Sequence, residues 1–247
     1  MRRACILAML AMALLGSPRA CRAADDDSSD PWEPFNRAMF TFNDAIDRWA
    51  LEPVAKGYDF VMPDPLQHCI SNFFHNLKVP IEGVNNLLQG KPLDSASDLG
   101  RFAVNTTVGL AGFLDPATYI GLVRHDEDFG LTLGHWGVPR GPYLVIPLLG
   151  PSTVRDAGGL AVDSAITPTW YFLDWFVTLG SRVVETVNTR SLVLEDVQNA
   201  RAAAVDFYSF IRNAYLQHRE AQLQGHGERT REESDSLYYP DTEPPAH

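Results

Sequence analysis

Apolar side chains return at helical intervals along most of this chain. Phe35, Met39, Phe42, Ile46 and Trp49 are spaced by four, three, four and three residues, one face of a helix. Asn36, Asn43, Asp44 and Asp47 lie off that stripe. Asp30 as N-cap, Pro31 in the first helical position and Glu33 three residues after the cap mark its start, and Pro53 its end. A second helix is predicted after Pro65, with Leu66, Ile70, Phe73 and Leu77 on one face. Pro80 interrupts it, and Ile81, Val84, Leu87 and Leu88 resume before Gly90-Lys91-Pro92. A third begins near Asp94 or Ser95, with Asp98 placed to complete the cap, and carries Leu99, Phe102 and Ala103. An amphipathic stripe on a single helix is more commonly a core face than a membrane face.

From 109 to 159 glycine and proline recur too often for long helices, which predicts a compact irregular region with short helices or one small hairpin. Tyr143-Leu144-Val145-Ile146 and Leu148-Leu149 are too apolar for a disordered linker. Helix is expected again from about Val162, with an aromatic stretch over Thr169 to Val177. The longest helix is expected from about Leu194 to Gln222, with Val197, Ala200, Ala204, Phe207, Ile211 and Tyr215 aligned. The segment after Gly225 is rich in charge, serine and proline, and reads as a disordered polar tail over 225–247. The whole predicts a mainly α fold with one domain over 25–224 and no internal repeat.

The N-terminus changes the compartment. Arg2 and Arg3 precede 13 residues of apolar character, Ala4 to Gly16, and small residues surround Ala20 to Ala24. That order is a secretory signal over 1–24, its boundary between 20 and 24, and the apolar stretch falls short of the ~20 residues of a membrane span. Cys21 after Ala20 suits a lipid-carrying first residue, although Pro18 and Arg19 depart from such signals. Cys21-Arg22-Ala23 equally supplies the small residues of an ordinary cleavage site. With Cys5 in the signal and Cys21 at its edge, only Cys69 lies in the body, too few for a disulfide or a cysteine zinc site.

The chain carries 20 basic and 31 acidic residues; without the four arginines of 1–24 the balance is 16 to 31, a net of −15. Such a surface repels nucleic acid and anionic headgroups, so contact with a membrane must be apolar. Five tryptophans and 13 phenylalanines suit that contact.

Enzyme signatures are missing: no G-x-S-x-G, P-loop, H-E-x-x-H or G-x-G-x-x-G occurs. His125-Asp126-Glu127-Asp128 concentrates potential metal ligands but reads better as a solvated charged loop. His68 and His75, seven apart, read as polar-face residues.

Several motifs together resemble one family. Asp30-Pro31-Trp32-Glu33-Pro34-Phe35-Asn36-Arg37 is similar to the opening of VacJ/MlaA proteins. It is followed by Phe42-Asn43, Ser71-Asn72-Phe73, Asn85-Asn86-Leu87-Leu88-Gln89-Gly90, Arg101-Phe102 and Asn105-Thr106-Thr107-Val108-Gly109. The densest likeness is in Asp128-Phe129-Gly130-Leu131-Thr132-Leu133-Gly134 and Gly141 to Gly150, and the match runs from about Asp30 to Arg219.

The resemblance implies a disc- or ring-like helical protein in the periplasmic leaflet of the outer membrane, around a polar channel. It implies removal of phospholipid from the outer leaflet to maintain lipid asymmetry. The implied partners are a trimeric porin and a soluble periplasmic lipid carrier, with no cofactor and no catalysis. A porin-associated scaffold without lipid conduction is the alternative, and a lipid hydrolase a more distant one. For a channel, Asn36, Asn43, Asn85, Asn86 and Asn105 are the candidate polar lining, against ordinary capping or helix-surface roles. Gly134, Gly137 and Gly141 are candidate hinges of a gate, against static turns.

Overall fold

The structure is a computed structural model and describes residues 30–167 and 174–224. The expected signal with Cys21, part of the aromatic stretch after Thr167 and the polar tail lie outside the described residues.

Helix α1 spans Glu33–Ile46 and runs through a wide π turn, Asp47–Leu51, into α2, Glu52–Val61. Pro53 therefore does not end the first helix. Just before it the ladder widens, the Glu52 N–H reaching back to the Asp47 carbonyl, and the chain passes the proline near the start of the next segment. The N-cap position falls to Trp32 rather than Asp30.

Helix α3, Asp64–Leu88, is continuous through Pro80. An interior proline costs one ladder bond and crowds the preceding turn. Lateral bonds to α4, Pro92–Thr107, hold the helix on both sides of that site: Asn76 donates to the Thr106 hydroxyl at 3.0 Å and Asn86 to Asp98 at 2.7 Å.

The Gly/Pro-rich segment is compact, with short α5, Pro116–Tyr119, then α6, Phe129–His135. An antiparallel hairpin follows, β1 Tyr143–Ile146 and β2 Gly150–Thr153, pairing Tyr143 with Thr153 and Ile146 with Gly150. Helix α7, Val154–Ile166, starts eight residues earlier than the apolar pattern suggests, because Thr153 caps it by accepting from the Asp156 N–H at 3.2 Å. Gly159 belongs to this helix rather than to a loop. A Cβ there would come 2.2 Å from the Gly130 nitrogen of α6, so two glycines let the helix backbones touch.

Helix α8 spans Trp175–Leu192, and the expected long C-terminal helix is two: α9, Leu194–Ala203, and α10, Phe207–Leu223. Asp206 divides them, capping α10 by accepting from the Tyr208 N–H. The mainly α class and the small hairpin agree with the sequence pattern; the facing of the helices does not.

Among the described residues, eight hydrophobic side chains are buried against twenty polar or charged ones. On α1, Asn36 is fully buried while Phe35 and Phe42 are exposed. On α3 the buried side is Gln67, Asn76, Glu82, Asn85 and Asn86, with Leu66, Val84 and Leu87 outside. The stripes expected to face a core face outward. Among the described residues a hydrophobic cluster joins Tyr143, Val145 and Tyr208, with Met39, Phe40, Tyr215 and Leu216 packed around it.

The hairpin is fastened to α1 by two side chains. The Asn36 amide donates to the Tyr143 carbonyl and accepts from the Val145 N–H, both at 2.9 Å. Seven residues on, the Asn43 amide donates to the Ile146 carbonyl at 3.0 Å and accepts from the Leu148 N–H at 2.8 Å. Each asparagine thus stands in for a neighbouring strand. Asn36→Leu strands two buried backbone groups and should cost about 2–4 kcal/mol, whereas Asn43→Ala, beside the exposed turn, should cost about 1 kcal/mol. Denaturant unfolding of the purified protein in mild detergent measures both.

Candidate functional site

The outer surface of these helices carries many large apolar side chains. Phe60 is 92% exposed and Trp49 86%. Leu93 and Leu99 stand out from α4, Val108, Leu110 and Phe113 from the turn after it, Tyr119 and Ile120 from α5, and Trp175 and Phe176 from α8. Leu148 and Leu149 form the hairpin tip, Leu148 with a left-handed backbone of φ 66°. Single exposed apolar residues need no explanation, but this surface carries them on nearly every element. Each large one removed from water is worth about 1.5–3 kcal/mol. Among the described residues no helix is long and apolar enough to cross a membrane. Amphipathic helices with the apolar side outward suit a position in the plane of a lipid boundary.

Inside, charges and amides bond to one another. Arg101, 1% exposed, donates to Asp115 at 2.6 Å, to the Leu122 carbonyl at 2.5 Å and to Thr118 at 3.1 Å. Asn105 completes this knot, donating to Asp115 at 2.8 Å and accepting from the Ala117 N–H at 3.0 Å. Burial pushes the Asp115 carboxyl up, but bonds from Thr118, Asn105 and Arg101 with the arginine charge hold it below its ordinary value. Asn85 donates to Asp163 at 3.3 Å and accepts from Thr132 at 3.0 Å; Asn86 meets Asp98, which also holds His125 at 2.8 Å.

Two further knots tie the C-terminal elements in. Arg190 of α8 and Arg201 of α9 converge on Asp47 of the π turn, at 2.7 and 3.4 Å, and Arg201 also reaches Asp44 at 2.6 Å. Arg219 of α10 bridges Asp128 and Asp156 at 2.7 and 3.0 Å, and the Tyr215 hydroxyl donates to Asp156 at 2.7 Å. Burial raises Asp156, yet the Arg219 bonds and charge, the Tyr215 bond and the Arg155 charge bring it below the ordinary carboxylate value.

The expected residues therefore stand as follows. Asn36, Asn85, Asn86 and Asn105 are buried and Asn43 half-buried, all bonded within the chain. Gly134 lies within α6, where a Cβ would meet Arg155 Nη1 and Leu223 Cδ2 at 2.7 Å. Gly137 and Gly141 have φ of 86° and 67°, a backbone that glycine adopts freely. The acidic run 125–128 is not a solvated loop throughout. Asp128 caps α6 and meets Arg219, Glu127 accepts from Gln89 at 2.8 Å and from Lys91 at 3.0 Å, and His125 is held by Asp98.

His75, read as a polar-face residue, instead lies beside buried Glu82 and exposed Asp126. Burial, then the Arg124 charge, lowers the imidazole to about 3; burial, then the Asp126 charge, pushes the Glu82 carboxyl up to about 9. The interior arginines were missed from sequence, although Ser95, Asp98, Arg101 and Asn105 recur at three, three and four residues, a polar stripe as regular as any apolar one.

This geometry has counterparts. The family model of the MlaA lipoprotein matches residues 28–222. The chain belongs to the MlaA lipoprotein family. It is 38% identical over 193 residues to the intermembrane phospholipid transport system lipoprotein MlaA of Escherichia coli (strain K12), covering 76% of each chain. It is 35% identical over 195 residues to the protein of that name from Haemophilus influenzae, covering 77% of this chain and 78% of that one. A solved structure described as "Structural basis for maintenance of bacterial outer membrane lipid asymmetry" superimposes with a TM-score of 0.70 at 37% identity, over 79% of this chain and 99% of the other. In this MlaA-family chain, polar interior and apolar exterior belong to one helical frame.

Two outcomes follow from that frame. Trp49→Asp combined with Phe60→Asp should weaken co-sedimentation with neutral phospholipid vesicles by more than about tenfold, with an unchanged far-ultraviolet circular dichroism spectrum. The second concerns acid. Asp156 is lowered in the folded state, so its contribution is present above the unfolded carboxylate value and lost as pH falls through the folded one. Arg219→Gln removes the chief cause of that lowering, and the acid-unfolding midpoint should move upward by roughly half a pH unit or more.

Proposed function

We propose that this chain is a component of intermembrane phospholipid transport. It sits in the inner leaflet of the bacterial outer membrane and removes phospholipid mislocalised in the outer leaflet, maintaining lipid asymmetry without catalysis. The observation that carries this reading is the inverted burial: helices that expose Trp49, Phe60, Leu93 and Trp175 while burying asparagine, arginine and aspartate. Such a frame is solvated by acyl chains outside and offers a polar environment inside, the two surfaces an amphipathic lipid needs when its headgroup crosses an apolar layer. The names of the relatives and of the solved neighbour point the same way.

In this mechanism Asn36, Asn43, Asn85, Asn86 and Asn105 hold the wall of the headgroup path, their amides fixing the elements around it. The segment from Gly134 through Gly137 to Gly141 serves as the gate beside it. A trimeric porin seats the chain in the membrane, and a soluble periplasmic carrier accepts the lipid. Acylation at Cys21 adds an anchor in those molecules that carry it. The net negative charge leaves binding of anionic headgroups weak, which suits passage rather than retention.

The test is phospholipid exposed on the cell surface, compared among a deletion strain, a complemented strain and the parent. Deletion should raise it several-fold and complementation reverse the rise. An unchanged level in a strain without redundant pathways would overturn the transport role.

A further inference from the structure

His75 and Glu82 sit seven residues apart on the buried side of α3, and the segment after α5 brings Asp126 against them. One donor atom from each of the three lies within 4.8 Å of the others, and His75 Nδ1 is 3.6 Å from Glu82 Oε1. The side chains of His75 and Glu82 are 10% and 9% exposed. Each keeps a buried atom, His75 Nε2 and Glu82 Oε2, with no hydrogen-bond partner among the described residues. Asn76, Asn86, Arg101, Arg190 and Arg201 each leave one buried atom unmatched as well, but among the described residues only His75 and Glu82 do so within a cluster of three metal-ligating side chains.

We propose that His75, Glu82 and Asp126 bind a single divalent transition-metal ion of the zinc class. One imidazole and two carboxylates are a donor set that zinc accepts, and three protein ligands leave a further position for water. Calcium and magnesium fit poorly, since they favour more oxygen ligands and no imidazole. Drawing the donors from their present separation to bonding distances of about 2.0–2.2 Å needs side-chain movements of about an ångström, and Asp126, being exposed, is free to supply most of it.

The neighbouring charges are largely committed elsewhere. Lys78 pairs with Glu185 at 2.5 Å, Arg101 with Asp115 at 2.6 Å, and Asp98 with His125 at 2.8 Å. Arg124 touches Asp126 at 3.4 Å and would give up that exposed contact to the ion. Bound there, the ion fastens the segment carrying residues 124–128 to the middle of α3, a cross-link the protein makes nowhere else between these two elements by a charged pair among the described residues. This inference is independent of the lipid-transport reading.

The experiment uses the purified full chain in detergent, stripped with chelator and titrated with zinc sulfate by calorimetry and equilibrium dialysis. One zinc per chain should bind, and saturating zinc should raise Tm by about 5 °C. His75→Ala and Glu82→Gln should each weaken binding more than about tenfold and abolish the Tm rise. Since changes at those buried positions disturb packing, the exposed Asp126→Asn variant is the decisive one. It should keep the circular dichroism spectrum and lose at least tenfold in affinity, whereas His218→Ala at an exposed site should bind as the parent does. Absence of stoichiometric binding to the parent, or affinity unchanged in Asp126→Asn and Glu82→Gln, would overturn the site.

Discussion

A polar group turned away from water must be met by another polar group, and among the described residues this frame buries twenty polar or charged side chains against eight hydrophobic ones. Removing a carboxylate or guanidinium from water is costly unless it is paired and hydrogen-bonded. The fold answers by making several inward charges junctions between elements distant in sequence. Arg101 joins α4 to the segment around α5, Arg190 and Arg201 join α8 and α9 to the turn after α1, and Arg219 joins α10 to the cap of α6 and the first turn of α7. In a water-soluble bundle apolar packing decides which helix lies where. Here geometry comes from the directionality of amide and guanidinium bonds, with a small aromatic cluster around Tyr143 and Tyr208 as the conventional core.

That arrangement explains what was legible in the sequence. Helical periodicity depends only on which residues share a face, so the helical character of α1, α3 and α4 was visible, though not their bounds. Which face turns inward depends on the solvent, and periodicity carries no sign. The prior that apolar stripes are core stripes assumes water outside, and it failed at Phe42, Leu66 and Leu99. Breaks were misread for a related reason. Pro53 and Pro80 look like terminators when only local propensity counts, but a π turn and lateral amide bonds carry the chain past them. Conversely nothing apolar marks the division at Asp206; it is a capping event, carried by one aspartate in a stretch otherwise compatible with continuous helix.

The site was half legible for the same cause. The five asparagines were picked out as the polar lining of a channel that the resemblance implies, and the structure shows each of them bonded within the chain. Their partners lie 10 to more than 100 residues away, at separations no local pattern encodes. The glycines divide similarly. Gly137 and Gly141 advertise left-handed backbone, whereas Gly130 and Gly159 matter because two helices meet there, a reason absent from either segment alone.

The two-point attachment of the hairpin to α1 has a mechanical side. Asn36 and Asn43 lie two helical turns apart and hold β1 at one end and the turn at the other, so the hairpin has no independent freedom to swivel about the helix. Any tilt of α1 is transmitted to the leucine tip at Leu148 and Leu149 as the motion of one stiff lever, and a load applied at that tip returns along the same arm to the π turn and its arginines.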